Sequence, residues 1–215
     1  MRKPATPEPA AAPRSRKGAQ TRARLLDAAK NVFERSGFLE ARISDIAEQA
    51  GLSHGSFYHY FDSKEQIFRE VAETQEALLT VPADDAGVVD RATLTERERI
   101  YRANRLYLER YRDNARIMGV IEEVSRYDAP VNEARRRRQK HFAGRAERAI
   151  HRLQDAGLAD PDVDPEIAAL ALGSMVARTA ELWLVEHWGD YELDKVTEQL
   201  TALWANGIGL RETAG

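Results

Sequence analysis

Gly55, Tyr58 and His59 are the residues whose types and spacing best suggest a chemistry. At about 100° per helical residue they fall on or near one side of a short helix, and Phe57 and Phe61 share the other. Hydrogen-bonding rings beside a glycine that permits close backbone approach suit a DNA major groove and its phosphates. Phe57 and Phe61 would anchor such a helix while the others read. The competing reading is a helical hairpin inside an ordinary bundle, with Tyr58 and His59 at its rim.

Other candidate chemistries are thinner. Arg135 to Arg138 is the densest charge run. Wound into a helix it spreads around the circumference, so at least one member should point inward or pair with an acid such as Glu133 or Glu147. It reads either as a site for an anionic effector, for instance an acyl-coenzyme A phosphate, or as a solvated, salt-bridged face. Glu147 and His151 lie one turn apart, but with no third ligand in register they read as an ion pair, so neither a metal nor a cofactor is expected. Without cysteine there are no disulfides, thiolate metal sites or thiol nucleophile. Nucleophile elbows, phosphate loops and zinc signatures are lacking as well, and the expectation is a protein that is not an enzyme.

Positioning the reading residues requires a particular run of elements. Ile43, Ile46, Ala47 and Ala50 recur at helical spacing, with Asp45, Glu48 and Gln49 facing outward. Gly51 suits the left-handed residue that ends a helix, and Leu52 can plug the angle behind it. Ser53 then supplies an N-cap for a second helix running to about Phe61. Ahead of this pair, Leu25, Ala28, Ala29, Val32 and Phe33 mark a buttressing helix that ends at Gly37. After it, Asp62 and Ser63, each followed three residues later by Glu65 or Gln66, form two overlapping capping boxes that open a fourth helix.

Thr21 to Phe68 resembles the N-terminal domain of the tetracycline-repressor (TetR) family of transcriptional regulators. LLDAAKNVFERSGF and ISDIAEQAGLSHGSFYHYFDSKEQIF carry the likeness, at Ala28-Ala29, Phe33, Gly37-Phe38, Asp45-Ile46-Ala47, Gly51-Leu52-Ser53, Phe57 to Phe61 and Lys64-Glu65. The resemblance implies that His54, Gly55, Ser56, Tyr58, His59 and Tyr60 face DNA and that Lys64 meets a phosphate. Arg42 and Ser44 match positions that also touch DNA. One departure stands out: many relatives have Thr-Ser or Thr-Thr before the first helix of the motif, where this chain has Ala41-Arg42. The cap is expected to pass to Ser44, with Arg42 giving a charged contact in place of a hydroxyl.

The net charge of −3 argues against nucleic acid until its distribution is considered. Through Ile43 there are ten Lys or Arg against four acids, so the basic charge lies where DNA would. Residues 1–20, rich in Pro, Ala, Arg and Ser, are expected to form a disordered tail, with Arg14, Arg16 and Lys17 able to follow phosphates or enter a minor groove. The prolines near the start lack the form of a secretory signal, and the apolar run from Ile167 to Ala177 stops at Arg178, so a cytoplasmic protein with no membrane contact is expected.

The fold expected is all-α, about nine helices: a three-helix DNA-binding domain over 21–64, then a helical regulatory and dimerisation domain over 65–215. Val81 to Val89 reads as a loop, Thr93 with Glu96 as the capping box of the next helix, and Asp164-Pro165 as a helix start. The last two helices are the expected homodimer surface, with Trp204 in it. Tyr107, Tyr111, Met118, Ile121, Phe142, Met175, Thr179 and Trp183 mix apolar bulk with polar handles, as a small-molecule cavity does, although each taken singly reads more readily as core. The function expected is a ligand-responsive, sequence-specific regulator. It would act as a repressor, bound as a dimer to a pseudo-palindromic operator on double-stranded DNA and released by a small apolar or amphipathic effector. The alternatives are a non-specific architectural DNA-binding protein and an enzyme with an incidental helix-turn-helix.

Overall fold

A computed structural model describes residues 16–81 and 94–211. The expected loop from Val81 to Val89 lies outside them save for Val81, as do Arg14 and Thr93. Among the described residues there are nine helices and no strand: α1 Arg16–Glu40, α2 Ile43–Gln49, α3 His54–Phe57, α4 Lys64–Thr80, α5 Glu96–Asp113, α6 Ala115–Val124, α7 Ala129–Asp155, α8 Pro165–Leu184 and α9 Leu193–Gly207. They form two compact units that divide between Glu73 and Thr74.

The first unit is built on an apolar stripe of α1. Leu25, Ala28, Ala29, Val32 and Phe33 are buried, and the Phe33, Phe38 and Phe68 rings pack together, with Phe68 4.9 Å from each of the other two. Ile67, Phe68 and Val71 therefore belong to this core. Their packing carries the first unit past residue 64, where the sequence reading ends it. The helix also starts earlier than expected: Arg16 to Gln20, assigned to the tail, are helical. Gly37 (φ 71°, ψ 177°) breaks α1 one turn before its end, in a region open to glycine.

In the second unit α7 packs along α8 and α5 along α9. Thr95 caps α5 in a complete box: its hydroxyl accepts the Glu98 N–H while the Glu98 carboxylate accepts the Thr95 N–H at 2.8 Å. The expected box at Thr93 and Glu96 is thus displaced by two residues, because Thr-x-x-Glu occurs twice in overlapping register. Asp164 accepts the Ile167 N–H at 2.9 Å ahead of Pro165 and starts α8 as read. Ile150, Leu153, Ala168, Ala169 and Ile208 form a core against which Leu172 and Trp204 pack.

By length and composition α8 is apolar enough to cross a membrane. It carries Arg178, though, paired with Glu181 at 2.5 Å, and it buries Ala168, Ala169, Val176 and Ala180 within the unit. Its exposed residues include Ile167 (66% exposed) and Leu170 (62%), and α9 exposes Leu203 (52%). Trp204, expected at a dimer surface, is partly buried against its own chain's core, and its neighbour Leu203 is exposed.

Candidate nucleic-acid interface and effector site

The helix-turn-helix is set by local bonds. Gly51, at φ 65°, ends α2 in a two-bond motif: its N–H donates to the Glu48 carbonyl and the Leu52 N–H to the Ala47 carbonyl, both at 2.9 Å. Arg24, from α1, donates to the Ala50 carbonyl and covers that same end. Ser53 caps α3, its Oγ accepting the Ser56 N–H at 3.2 Å. Only His54–Phe57 is α-helical, shorter than the expected helix to Phe61. Tyr58 to Tyr60 continue as a tighter turn with Tyr60 N–H to Phe57 O at 2.9 Å, the geometry by which helix ends satisfy their last carbonyls.

Phe57 and Phe61 are fully buried, with ring centroids 5.8 Å apart, and they fix the opposite side outward. His54, Gly55, Tyr58 and His59 are exposed together, while Ser56 and Tyr60 are half-buried. The His54 and Tyr58 rings meet edge-on at 5.4 Å, and a side chain at Gly55 would meet nothing within 4 Å. Arg42 and Ser44 are exposed at the start of α2. The expected cap at Ser44 does not form: the N-cap is Arg42, which makes no side-chain cap bond, and Ser44 lies inside the helix, its hydroxyl donating to Asp45 Oδ1 at 3.1 Å.

Lys64 has a different occupation from the phosphate contact expected of it. Its ammonium donates to the carbonyls of Phe38 (2.8 Å), Leu39 (3.0 Å) and Ala41 (2.9 Å), and it lies 4.7 Å from the Phe38 ring centre. Three donors meet three acceptors, which uses the full complement of an ammonium. The beginning of α4 is thereby clipped to the end of α1. Arg22 makes a second clip, paired with Glu70 and lying 4.7 Å over the Phe61 ring. Ahead of α4, Ser63 Oγ accepts the Gln66 N–H at 3.1 Å and the Gln66 side chain accepts the Asp62 N–H, so the two expected boxes merge into one.

In the second unit the expected ligand residues divide. Tyr107, Tyr111 and Phe142 come together, with ring centroids 5.9 Å (Tyr107–Tyr111) and 5.5 Å (Tyr107–Phe142) apart. Met118 and Ile121 are fully buried on α6. On α8, Met175 and Thr179 are half-buried and Trp183 is buried with its ring 6.4 Å from Tyr191. Beside the tyrosines lies a charged group that the sequence reading missed. Arg138 is 4% exposed and its Nε sits 3.0 Å from Oε2 of Glu76, itself 2% exposed. Arg135 pairs with Glu122 at 2.5 Å and donates to Ser125 Oγ at 3.0 Å. The arginine run does send a member inward, but its partners are Glu76 and Glu122 rather than Glu133 or Glu147. Burial pushes the Glu76 and Glu122 carboxyls up, against the opposing pull of the arginines, and burial also holds both tyrosines in their protonated, donating form.

A signal for this group was present. Phe68, Ala72, Gln75, Glu76 and Leu79 keep one helical register, so Gln75 and Glu76 interrupt an apolar stripe; Arg138 does the same after Val131 and Ala134. Among the described residues no group of three His, Cys, Asp or Glu is placed to hold a metal.

Two helical units, the first carrying a helix-turn-helix with an exposed aromatic and imidazole face, define the architecture of a helix-turn-helix regulator. The sequence model of bacterial regulatory proteins of the tetR family matches residues 25–71, the stretch of this chain that holds the helix-turn-helix. The HTH-type transcriptional regulator YdgC of Bacillus subtilis is 51% identical over 55 residues, 26% of this chain and 28% of that protein. Relatives matched in this way are spanned over only 25–36% of their length. The HTH-type transcriptional regulator TtgR of Pseudomonas putida is 26% identical over 197 residues, covering 81% of this chain and 90% of its own. The fold matches the crystal structure of the transcriptional regulator FadR from Bacillus subtilis in complex with stearoyl-CoA, with a TM-score of 0.70 at 17% identity over 86% of this chain and 98% of that one.

Proposed function

We propose that this protein is a ligand-responsive, sequence-specific transcriptional regulator, acting as a repressor that leaves its operator when a small apolar or amphipathic molecule enters the second unit. The observation that carries the reading is the face formed by His54, Gly55, Tyr58 and His59, turned outward by the buried Phe57 and Phe61. Arg42, Ser44, Ser56 and Tyr60 flank it and supply phosphate contacts. Lys64 acts by positioning. Its DNA partner places the protein in the cytoplasm, and its work is binding rather than catalysis.

One such helix reads a half-site, and two related by a two-fold axis about 34–36 Å apart read a pseudo-palindrome. Ile167, Leu170 and Leu203 supply the apolar surface for that homodimer, a better account of the outward face of α8 than a membrane. Release follows if the effector favours a conformation whose reading helices no longer match the half-site spacing. Since α4 runs from Lys64 in the first unit to Gln75 and Glu76 in the second, it is the natural lever.

Binding to the DNA flanking its own gene, compared with a scrambled duplex across a salt series, tests the proposal. Preference for the flanking DNA should persist as salt rises. Equal affinity for both duplexes, lost together with salt, would refute sequence reading and indicate an architectural role.

A further inference from the structure

Glu76, Tyr107, Tyr111, Arg135 and Arg138 bring together more polar atoms than they pair with one another. Glu76 Oε1, both tyrosine hydroxyls, Arg138 Nη1 and Arg135 Nε each lack a hydrogen-bonding partner. Glu76, Tyr111 and Arg138 are each less than 5% exposed. Leaving a buried polar atom unmade is unfavourable, and folded proteins keep such atoms few and scattered. Several converging from α4, α5 and α7 point to a molecule that completes them.

The kind of molecule follows from charge and from donor balance. The charges nearest the tyrosines are matched, Glu76 by Arg138 and Glu122 by Arg135, while Glu181, on α8, shares the exposed Arg178 with Glu186. A ligand bringing a net charge would leave one charge buried without compensation, which is strongly unfavourable. The unpartnered atoms include an acceptor (Glu76 Oε1) and donors (Arg138 Nη1, Arg135 Nε), with hydroxyls that serve as either. A group that only accepts, such as a carboxylate, or that only donates, such as an ammonium, would satisfy one set and strand the other. Beside the cluster the Phe142 ring, 5.5 Å from that of Tyr107, supplies apolar surface.

We infer that this cluster binds the uncharged head of an amphipathic effector, a head that both donates and accepts hydrogen bonds, such as a carboxamide, phenol or alcohol. The inference rests on the effector-released regulator proposed above and names the class of its effector. It turns away from an anionic acyl-coenzyme A phosphate, because buried Arg138 and half-buried Arg135, which would receive it, are already paired.

The test is isothermal titration of the full-length protein with probes that differ only in the head. Octanamide, octanoate and octylammonium form one set; 2-naphthamide, 2-naphthoate and 2-naphthylmethylammonium form a second with an aromatic body. In at least one set the amide should bind at least 10-fold more tightly than either charged partner. Tyr111→Phe should weaken the amide at least 5-fold while leaving the melting temperature of the free protein unchanged or raised, since no internal bond is lost. Preference for a charged head, or no binding by any probe, would overturn the inference. So would a Tyr111→Phe protein that melts lower when free, the mark of a hydroxyl already bonded. Operator binding without probe is measured in parallel. If it fails while the amide binds, the regulator reading falls and the site stands; if it succeeds while charged heads are preferred, the reverse holds.

Discussion

Replacing Lys64 by methionine keeps the aliphatic stem over the Phe38 ring and removes the ammonium that meets the carbonyls of Phe38, Leu39 and Ala41. Hydrogen bonds from a charged donor contribute about 1.5–3 kcal/mol each when buried. Lys64 is only half-buried, so water replaces much of what is lost and the net loss should be roughly 1–2 kcal/mol. For a unit of this size that lowers the melting temperature by roughly 4–16 °C, read by circular dichroism. Operator affinity should fall by up to about 10-fold per subunit, because the end of α1 and the start of α2 are held less firmly. The salt dependence separates the two roles of this lysine. A phosphate contact contributes about 0.9 to the slope of log K against log salt, so a dimer losing two would show a change of about 1.8. The clip predicts no change in slope, and Lys64→Arg should not restore stability, since a planar fork cannot meet three convergent carbonyls as a compact ammonium does. A slope that drops by about 1.8 with an unchanged melting temperature would refute the clip.

Tyr58→Ala and His59→Ala should each weaken operator binding by about 1–3 kcal/mol if they read base edges, with the dimer intact by sedimentation. Unchanged affinity for Tyr58→Ala would show that the reading face is misassigned. Leu203→Glu should yield monomers in size-exclusion chromatography by placing a charge in the outward apolar face, whereas Trp204→Ala should chiefly lower the melting temperature; a dimer surviving Leu203→Glu would put the interface elsewhere. The Glu98 carboxyl is held below the usual carboxylate range by the Thr95 N–H and hydroxyl. The stabilisation it brings is therefore complete above the unfolded carboxylate range and is lost as pH falls through the depressed folded value. Thr95→Ala should move the Glu98 titration, followed by NMR, back toward the ordinary value, and no movement would mean that the box does not form in solution.

What the sequence made legible was local. Gly51 at a positive φ, Ser53 at an N-cap and Asp164 before Pro165 are decided by neighbours within a few residues, and the structure places them as read. Phe57 and Phe61 followed from helical period alone. Ambiguity entered where two registers compete: Thr93 and Thr95 both precede a glutamate by three residues, and only the packed helix chooses between them. Ser44 failed as a cap because the helix begins one residue before it. The Glu76–Arg138 pair joins residues far apart in the chain, so no local rule could match them, although each stands in the register of an apolar stripe. Lys64 shows the same limit: its type and position suit a phosphate, and only the fold reveals the three carbonyls that claim it.

Selection of binding sites from a random duplex pool by the purified full-length protein tests the central claim most directly. The account predicts enrichment of a single inverted repeat whose half-sites lie about one helical turn apart, and loss of that enrichment with Tyr58→Ala. A pool that emerges without sequence preference would contradict it.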